Sequence, residues 1–296
     1  MNNIVVIGSC NIDITVLADK RPAAGETILG NSLHVSPGGK GANQAVAAAK
    51  LGANVTMVGC IGDDPYGQMI LDNLHQHHIN TDYILTLPDE TSGTAHITLA
   101  EGDNSIIVIQ GANARVDESV VDKAWEAIKK ADLVMLQNEI PLSTITYITK
   151  RCHESGIKVL LNPAPAANLD PQALANATYI TPNEHELSAL YPNGDSNETI
   201  LNNAGKLIVT LGSEGVGYAE AGELRRVPSF KVEPVDTTGA GDTFNGAFAT
   251  AIVNNKDLAE AIHYGNAAAA LSILKLGAQE GMPTAEEVAS FIESRK

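Results

Sequence analysis

Apolar and polar positions change rhythm several times along the chain. Residues 3–8 form a short apolar run closed by glycine, the pattern of a buried strand. Residues 11–17 alternate polar and apolar, as a half-exposed strand does. After a glycine-rich stretch, Ala42, Val46 and Ala49 repeat at helical spacing. Residues 55–59 read as a second buried strand and 67–78 as a helix. Residues 94–100 and 105–109 flank Glu-Gly-Asp-Asn, a hairpin signal. With 11–17 and 28–36 they are predicted to form a small antiparallel sheet without helices of its own, a lid inserted into the main body. From about residue 117 the alternation is regular: helix 117–130 (Val121, Ala124, Trp125, Ile128), strand 133–137, helix 143–155, then strands at 158–161, 179–181 and 207–211. Strands alternating with helices imply a parallel sheet covered on both faces. Residues 191–205 lack a clear apolar face and predict a truncated helix. No composition break or long linker divides residues 1–296, so a single domain is expected.

The stretch 235–248, VDTTGAGDTFNGAF, concentrates the chemistry. An extended lead-in and a glycine-rich turn precede a helix whose Phe244, Ala247, Phe248, Ala251 and Ile252 share one face. Gly239, Ala240 and Gly241 let backbone N–H groups approach a ligand unobstructed. The first N–H groups of a helix lack internal partners and carry the positive dipole end, which suits phosphate. Asp242 is anomalous there, because a carboxylate repels a static phosphate. It fits if it faces a hydroxyl that attacks phosphorus; the plainer alternative is a helix N-cap. The crowding of Asp236 and two threonines into the same turn favours the functional reading.

Other stretches supply candidates. Gly38-Gly-Lys-Gly41 allows close backbone approach to a small polar ligand, but is neither a Walker A loop nor a GxGxxG turn. Asn43 lies one turn into the following helix. Asp13 follows the first core strand, where open α/β sheets bind ligands. Glu139, Asn162, Asn183, Glu186, Thr210, Gly212 and Ser213 stand at successive strand ends, the row that a crevice along one sheet edge needs.

Composition narrows the classes. A net charge of −16 argues against a nucleic-acid partner. Cys10, Cys60 and Cys152 are odd in number and widely spaced, so neither a disulfide framework nor a zinc site is expected. With no signal-peptide pattern and no run approaching a membrane span, a reduced cytoplasmic setting is expected. His75, His77 and His78 fall on a polar helix end without ligand partners at metal spacing.

Pro37-Gly-Gly-Lys-Gly-Ala-Asn-Gln-Ala45 and the run from Asp236 to Phe248, DTTGAGDTFNGAF, resemble the two signatures of the ribokinase-like (PfkB) carbohydrate kinase family. The resemblance covers nearly the whole chain. It implies an α/β/α sandwich with a mostly parallel central sheet and a small β-sheet lid. It also implies ATP-dependent phosphorylation of a sugar primary hydroxyl. Asn11-Ile-Asp13 with an intact GGKGAN favours D-ribose, giving ribose 5-phosphate. 2-Deoxyribose, fructose and nucleosides stay open, as does a non-catalytic sensor on the same fold. Carried over, Asn11, Asp13, Gly39, Lys40, Gly41, Asn43 and Glu139 would hold the sugar. Asp242 would be the base, beside the anion hole of Gly239, Ala240 and Gly241. The nucleotide would meet Asn183, Thr210, Leu211, Gly212, Ser213, Gly215, Gly241 and Asn266. Glu186 would position hydrated Mg²⁺. Asp236 and Thr238, with Ser272, Lys275, Gly277 and Gly281, would surround a monovalent cation, K⁺. Gly281 departs from the family pattern, which has serine there. A homodimer through the lid is expected, with no membrane partner.

Overall fold

The first strand, β1 (Asn3–Ile7), is also the middle of the main sheet in the computed structural model, which describes residues 2–295. β4 (Asn54–Gly62) and β8 (Leu133–Gln137) pair with it on either side, both parallel. β5 (Asn80–Leu87), β9 (Val159–Asn162) and β10 (Tyr179–Ile180) extend the sheet in the order β10-β9-β8-β1-β4-β5. Side chains of a strand alternate between faces, so β1 feeds two cores. Ile4 and Val6 pack under α1 (Lys40–Lys50), α2 (Pro65–Gln76), α8 (Ala240–Val253) and α9 (Leu258–Ser272). Val5 and Ile7 pack under α3 (Glu118–Ile128), α4 (Leu142–Glu154) and α5 (Pro171–Asn176). The three layers of an α/β/α sandwich follow directly, as predicted.

Two smaller sheets adjoin this body. β11 (Ile208–Thr210), β12 (Val216–Glu220) and β13 (Glu223–Val227) are antiparallel. Among the described residues they join the main sheet only through isolated parallel bridges, Leu207 to Ile180 and Thr210 to Asn183. α6 (Glu184–Leu190) and the short α7 (Ser196–Asn202) lie on the second core, and α7 is the truncated helix expected between 191 and 205. α10 (Ala285–Glu293) packs on α9 through Val288.

The predicted lid strands form a four-stranded sheet, β3 (Ser32–Gly38), β2 (Asn11–Leu17), β6 (Gly93–Ala100) and β7 (Asp103–Ile109). Its outer pairings are antiparallel, but β2 and β6 run parallel. Both leave the body at the same end, where Asn11 pairs with Gly93, so they cannot oppose each other. Glu101 and Gly102 take positive φ at the β6–β7 turn, as a two-residue hairpin requires.

Helix α8 departs from the one-faced helix read in the sequence. It is buried on every side from Asp242 to Val253, because α1 and α9 both pack against it. Gly246 makes the α1 contact possible. A Cβ there would lie 2.6 Å from the Ala47 Cβ and 2.9 Å from the Gln44 carbonyl oxygen. Among the described residues no helix is long and apolar enough to cross a membrane.

Candidate active site

The carboxyl ends of the central strands and the start of α8 enclose a crevice of about 220 Å³. Lys40, Asn183, Glu186, Thr210, Gly239, Gly241 and Asp242 line it, all of them predicted site residues. Asn162, Thr181, Ala164 and Asn245 complete the wall. Gly239 is the N-cap of α8 with φ 76°, a left-handed turn that glycine adopts without penalty. A Cβ at Gly241 would meet open space, so the backbone is bare on the crevice side. The first N–H groups of α8 thus open onto a cavity, as an anion site needs.

Asp242 is not the N-cap. It sits in the first turn, 6% exposed, and its carboxylate is held from behind. Asn43 Nδ2 donates to Oδ2 at 3.0 Å and Gln44 Nε2 to Oδ1 at 3.0 Å. Gln44 also donates to Asn162 Oδ1 at 3.1 Å, and its own oxygen accepts from Gln137 Nε2 at 2.7 Å. Both carboxylate oxygens are therefore fixed in direction by amides from α1.

The predicted sugar-binding residues gather beside this base. Glu139 accepts the Ser9 hydroxyl at 2.5 Å and the Lys40 N–H at 3.0 Å, which ties the loop after β8 to the start of α1. Lys40 and Gly41 already belong to the first turn of that helix rather than to a preceding loop. Gly41 must be glycine: a Cβ would stand 2.5 Å from the Ser9 nitrogen. Asn11 Oδ1 accepts from Asn113 Nδ2 at 2.7 Å, and Asn113 Oδ1 accepts the Cys10 N–H at 2.9 Å. Gly39, the α1 N-cap with φ 86°, would press a Cβ to 2.8 Å from the Asn11 nitrogen. Burial pushes the Asp13 carboxyl up to about 7; Glu139, Asp242 and Glu280 add to this, and Lys40 opposes it. The same carboxylates act on Lys40. Asp242 raises its pKa most; burial opposes, and Glu139, Glu186 and Asp13 reinforce. One ammonium group thus serves a cluster of acids, and it stays charged.

On the nucleotide side, Asn183 caps α6. Its Oδ1 accepts the Glu186 N–H at 2.8 Å, while Glu186 Oε2 accepts the Asn183 N–H at 2.9 Å. This reciprocal capping box points Glu186 along the crevice wall. Thr210 bridges to Asn183 and lines the crevice as well. Leu211, Gly212, Ser213 and Gly215 follow as a single 3-10 turn leading into β12; Leu211 itself lines a different hollow under α6 and α7. Asn266, buried in α9, spends its Nδ2 on the Val227 and Pro228 carbonyls at 3.2 and 3.1 Å. It holds the end of β13 and does not reach the crevice lining.

The predicted cation residues meet at a separate turn. Asp236 Oδ1 accepts the Thr238 N–H and Oδ2 the Gly277 N–H, both at 2.9 Å. Burial alone would raise the Asp236 carboxyl, but these bonds and one from the Thr238 hydroxyl hold it below the usual carboxylate range. A Cβ at Gly281 would overlap the Ser272 carbonyl oxygen and stand 3.2 Å from that of Gly277, so those carbonyls converge there. The Ser272 hydroxyl turns away to the Ala269 carbonyl, and the Lys275 ammonium lies 3.8 Å from Glu287. Among these, Ser272 and Lys275 could contribute only backbone oxygen.

Four residues central to the site were not singled out in the sequence: Ser9, Gln44, Gln137 and Gln279. Gln279 Nε2 donates to Asn43 Oδ1 at 2.9 Å. A signal existed for Gln44, a glutamine on an otherwise small and apolar helix face, 0% exposed. None existed for Gln279, whose loop has no periodicity.

Residues 1–285 match the pfkB family of carbohydrate kinases. This chain belongs to that family. Among its relatives, the ribokinase of Bacillus subtilis is 52% identical over 292 residues, covering 99% of this chain and all of the relative. Solved pfkB-fold kinases superpose closely. Ribokinase from Thermotoga maritima gives a TM-score of 0.92 at 37% identity, over 99% of this chain and 100% of the other. Arabidopsis thaliana ribokinase, solved with ribose and ATP, gives 0.91 at 32%, over 99% of each chain. The superpositions take in the three-layer body and the stand-off sheet alike.

Proposed function

We propose that this kinase transfers the terminal phosphoryl group of ATP to the primary hydroxyl of D-ribose, giving ribose 5-phosphate. One observation carries the reading: the Asp242 carboxylate, anchored from behind by Asn43 and Gln44, faces a crevice into which the bare N-terminus of α8 also opens. A hydroxyl set against Asp242 and a phosphate set against those N–H groups would lie in line. The ribose-bound relative of the same fold supports pentose as substrate.

In this scheme Asp13, Asn11, Glu139, Gly39, Gly41 and Asn43 fix the sugar, and Asp242 accepts the proton of the attacking hydroxyl. Such a base contributes about 10²–10⁴-fold. Lys40, held cationic by its acidic neighbours, and the α8 N–H groups offset the charge developing on the transferred phosphoryl group. Asn183, Thr210 and the Gly212–Gly215 turn border the path of the nucleotide.

Two ions are part of the proposal. Glu186, a single carboxylate on the crevice wall with one oxygen in its capping box, suits a Mg²⁺ that keeps most of its water. When bound, the metal would neutralise charge on the phosphates. The Asp236 turn and the Ser272 and Gly277 carbonyls form an all-oxygen set that suits K⁺, with Gly281 contributing no side chain. We also assign the stand-off sheet the role of a lid, and its exposed strand β7 the role of a contact between two copies in a cytoplasmic homodimer.

The test is ADP release across pentoses, hexoses and nucleosides. D-Ribose is expected to give the highest kcat/KM, by about tenfold or more. Release with none of the sugars, or a preference for a nucleoside, would refute the assignment.

A further inference from the structure

A chain of side-chain amides runs from the surface of α2 to the proposed base. Asn73 Nδ2 donates to Gln279 Oε1 at 2.7 Å. Gln279 Nε2 donates to Asn43 Oδ1 at 2.9 Å, and Asn43 Nδ2 donates to Asp242 Oδ2 at 3.0 Å. Every bond points the same way, toward the carboxylate. An amide can turn over and exchange its donor for its acceptor. The Asp242 carboxylate only accepts and so favours the Asn43 NH₂ group, and Gln279, by donating to Asn43 Oδ1, locks that orientation from the other end. Asn73 sets Gln279 in the same manner.

We propose that Gln279 is a positioning residue for phosphoryl transfer, fixing the orientation of Asn43 and through it the Asp242 carboxylate. The inference rests on the kinase reading above. Gln279 is 5% exposed and well placed for the task. Its carbonyl accepts from Lys50 Nζ at 3.4 Å, and its loop is tied to Asp236 through the Gly277 N–H. Replacing it with an acceptor would reverse the chain. Asn43 would then turn its NH₂ outward and set its oxygen against the Asp242 carboxylate, a repulsive contact in a buried site.

Gln279→Leu and Asn73→Asp, assayed in saturating KCl, test this. Gln279→Leu removes the donor to Asn43 Oδ1 and is expected to lower kcat at least tenfold with the KM for ATP within twofold of wild type, a split that general loosening of the fold would not give. Asn73→Asp, at a half-buried position on α2, is expected to lose at least threefold in kcat with an unchanged melting temperature. A kcat within twofold of wild type for Gln279→Leu or Asn73→Asp, or a rise in the KM for ATP as large as the loss in kcat, overturns the proposal. Wild-type protein without turnover on any sugar would instead defeat the kinase reading, so the two failures are distinct.

Discussion

Gly38 faces the Asp13 carboxylate so closely that a Cβ at position 38 would overlap its oxygens. The two residues belong to paired strands, β3 and β2, and Gly38 has no positive φ to forbid a side chain. Gly38→Ala should therefore fold and displace Asp13. Ribose affinity by calorimetry is expected to fall about tenfold, roughly 1.4 kcal/mol, while saturating turnover changes much less. Unchanged affinity would remove Asp13 from the sugar site.

Asp13 also gives a pH signature. Its folded-state pKa of about 7 lies above the ordinary 3.8. The folded protein then prefers the neutral acid. The penalty of ionising it is fully present above pH 7 and fades as pH falls toward 3.8. Asp13→Asn is expected to raise the melting temperature at pH 8 and to lose that gain progressively toward pH 4. If the ionised form binds sugar, wild-type kcat/KM for ribose rises with pH through about 7. That limb is expected to vanish in the variant.

Asp242→Asn separates binding from chemistry. Asn43 and Gln44 both donate to position 242, so an amide there satisfies one and opposes the other. A stability loss of about 1–3 kcal/mol follows from the unmet donor. Ribose and ATP binding are expected to survive, and kcat to drop by about 10²–10⁴-fold. Retention of most of the turnover would rule the base out.

Replacing chloride of K⁺ by that of a large organic cation is expected to lower kcat severalfold if the Asp236 turn holds an ion. Gly281→Ser adds a hydroxyl beside the Ser272 and Gly277 carbonyls but brings a Cβ against the Ser272 carbonyl. It is therefore expected to lower the melting temperature rather than to strengthen K⁺ dependence. Stronger K⁺ dependence with undiminished stability would show that the loop has room to adjust.

Ile107 on β7 is 67% exposed, and every residue of that edge strand is open. Ile107→Lys is expected to convert a dimer to a monomer by sedimentation, since an inserted charge blocks edge pairing. A wild-type protein that sediments as a monomer removes the dimer from the scheme.

The layered body was legible because its strands and helices keep their periods. The runs at 133–137 and 158–161 became β8 and β9 within a residue or so. The glycine turn and Asp242 were legible through their local incongruity, acid beside anion site. α9 was not assigned because its many alanines blur any face, and α8 was misread as one-faced because it is buried all round. β12 and β13 escaped for a different reason: β13 is ELRRV, exposed along most of its length, with no alternation to find. The parallel β2–β6 pairing depends on where two strands leave the body, which no local pattern records. Gln279 and Asn73 are 206 positions apart, and only the packing of α2 against the 277–281 loop joins them.

The near-contact of α1 and α8 at Gly246 has a bearing on how such an enzyme can change. Asn43 and Gln44 ride on one helix and Asp242 on the other, so the single methyl group missing at 246 sets the reach of both amides at once. A bulkier residue there would wedge the pair open and loosen the acid's two tethers together. Interior volume and turnover are coupled through this crossing, and selection for a sturdier core cannot act on it without retuning the chemistry.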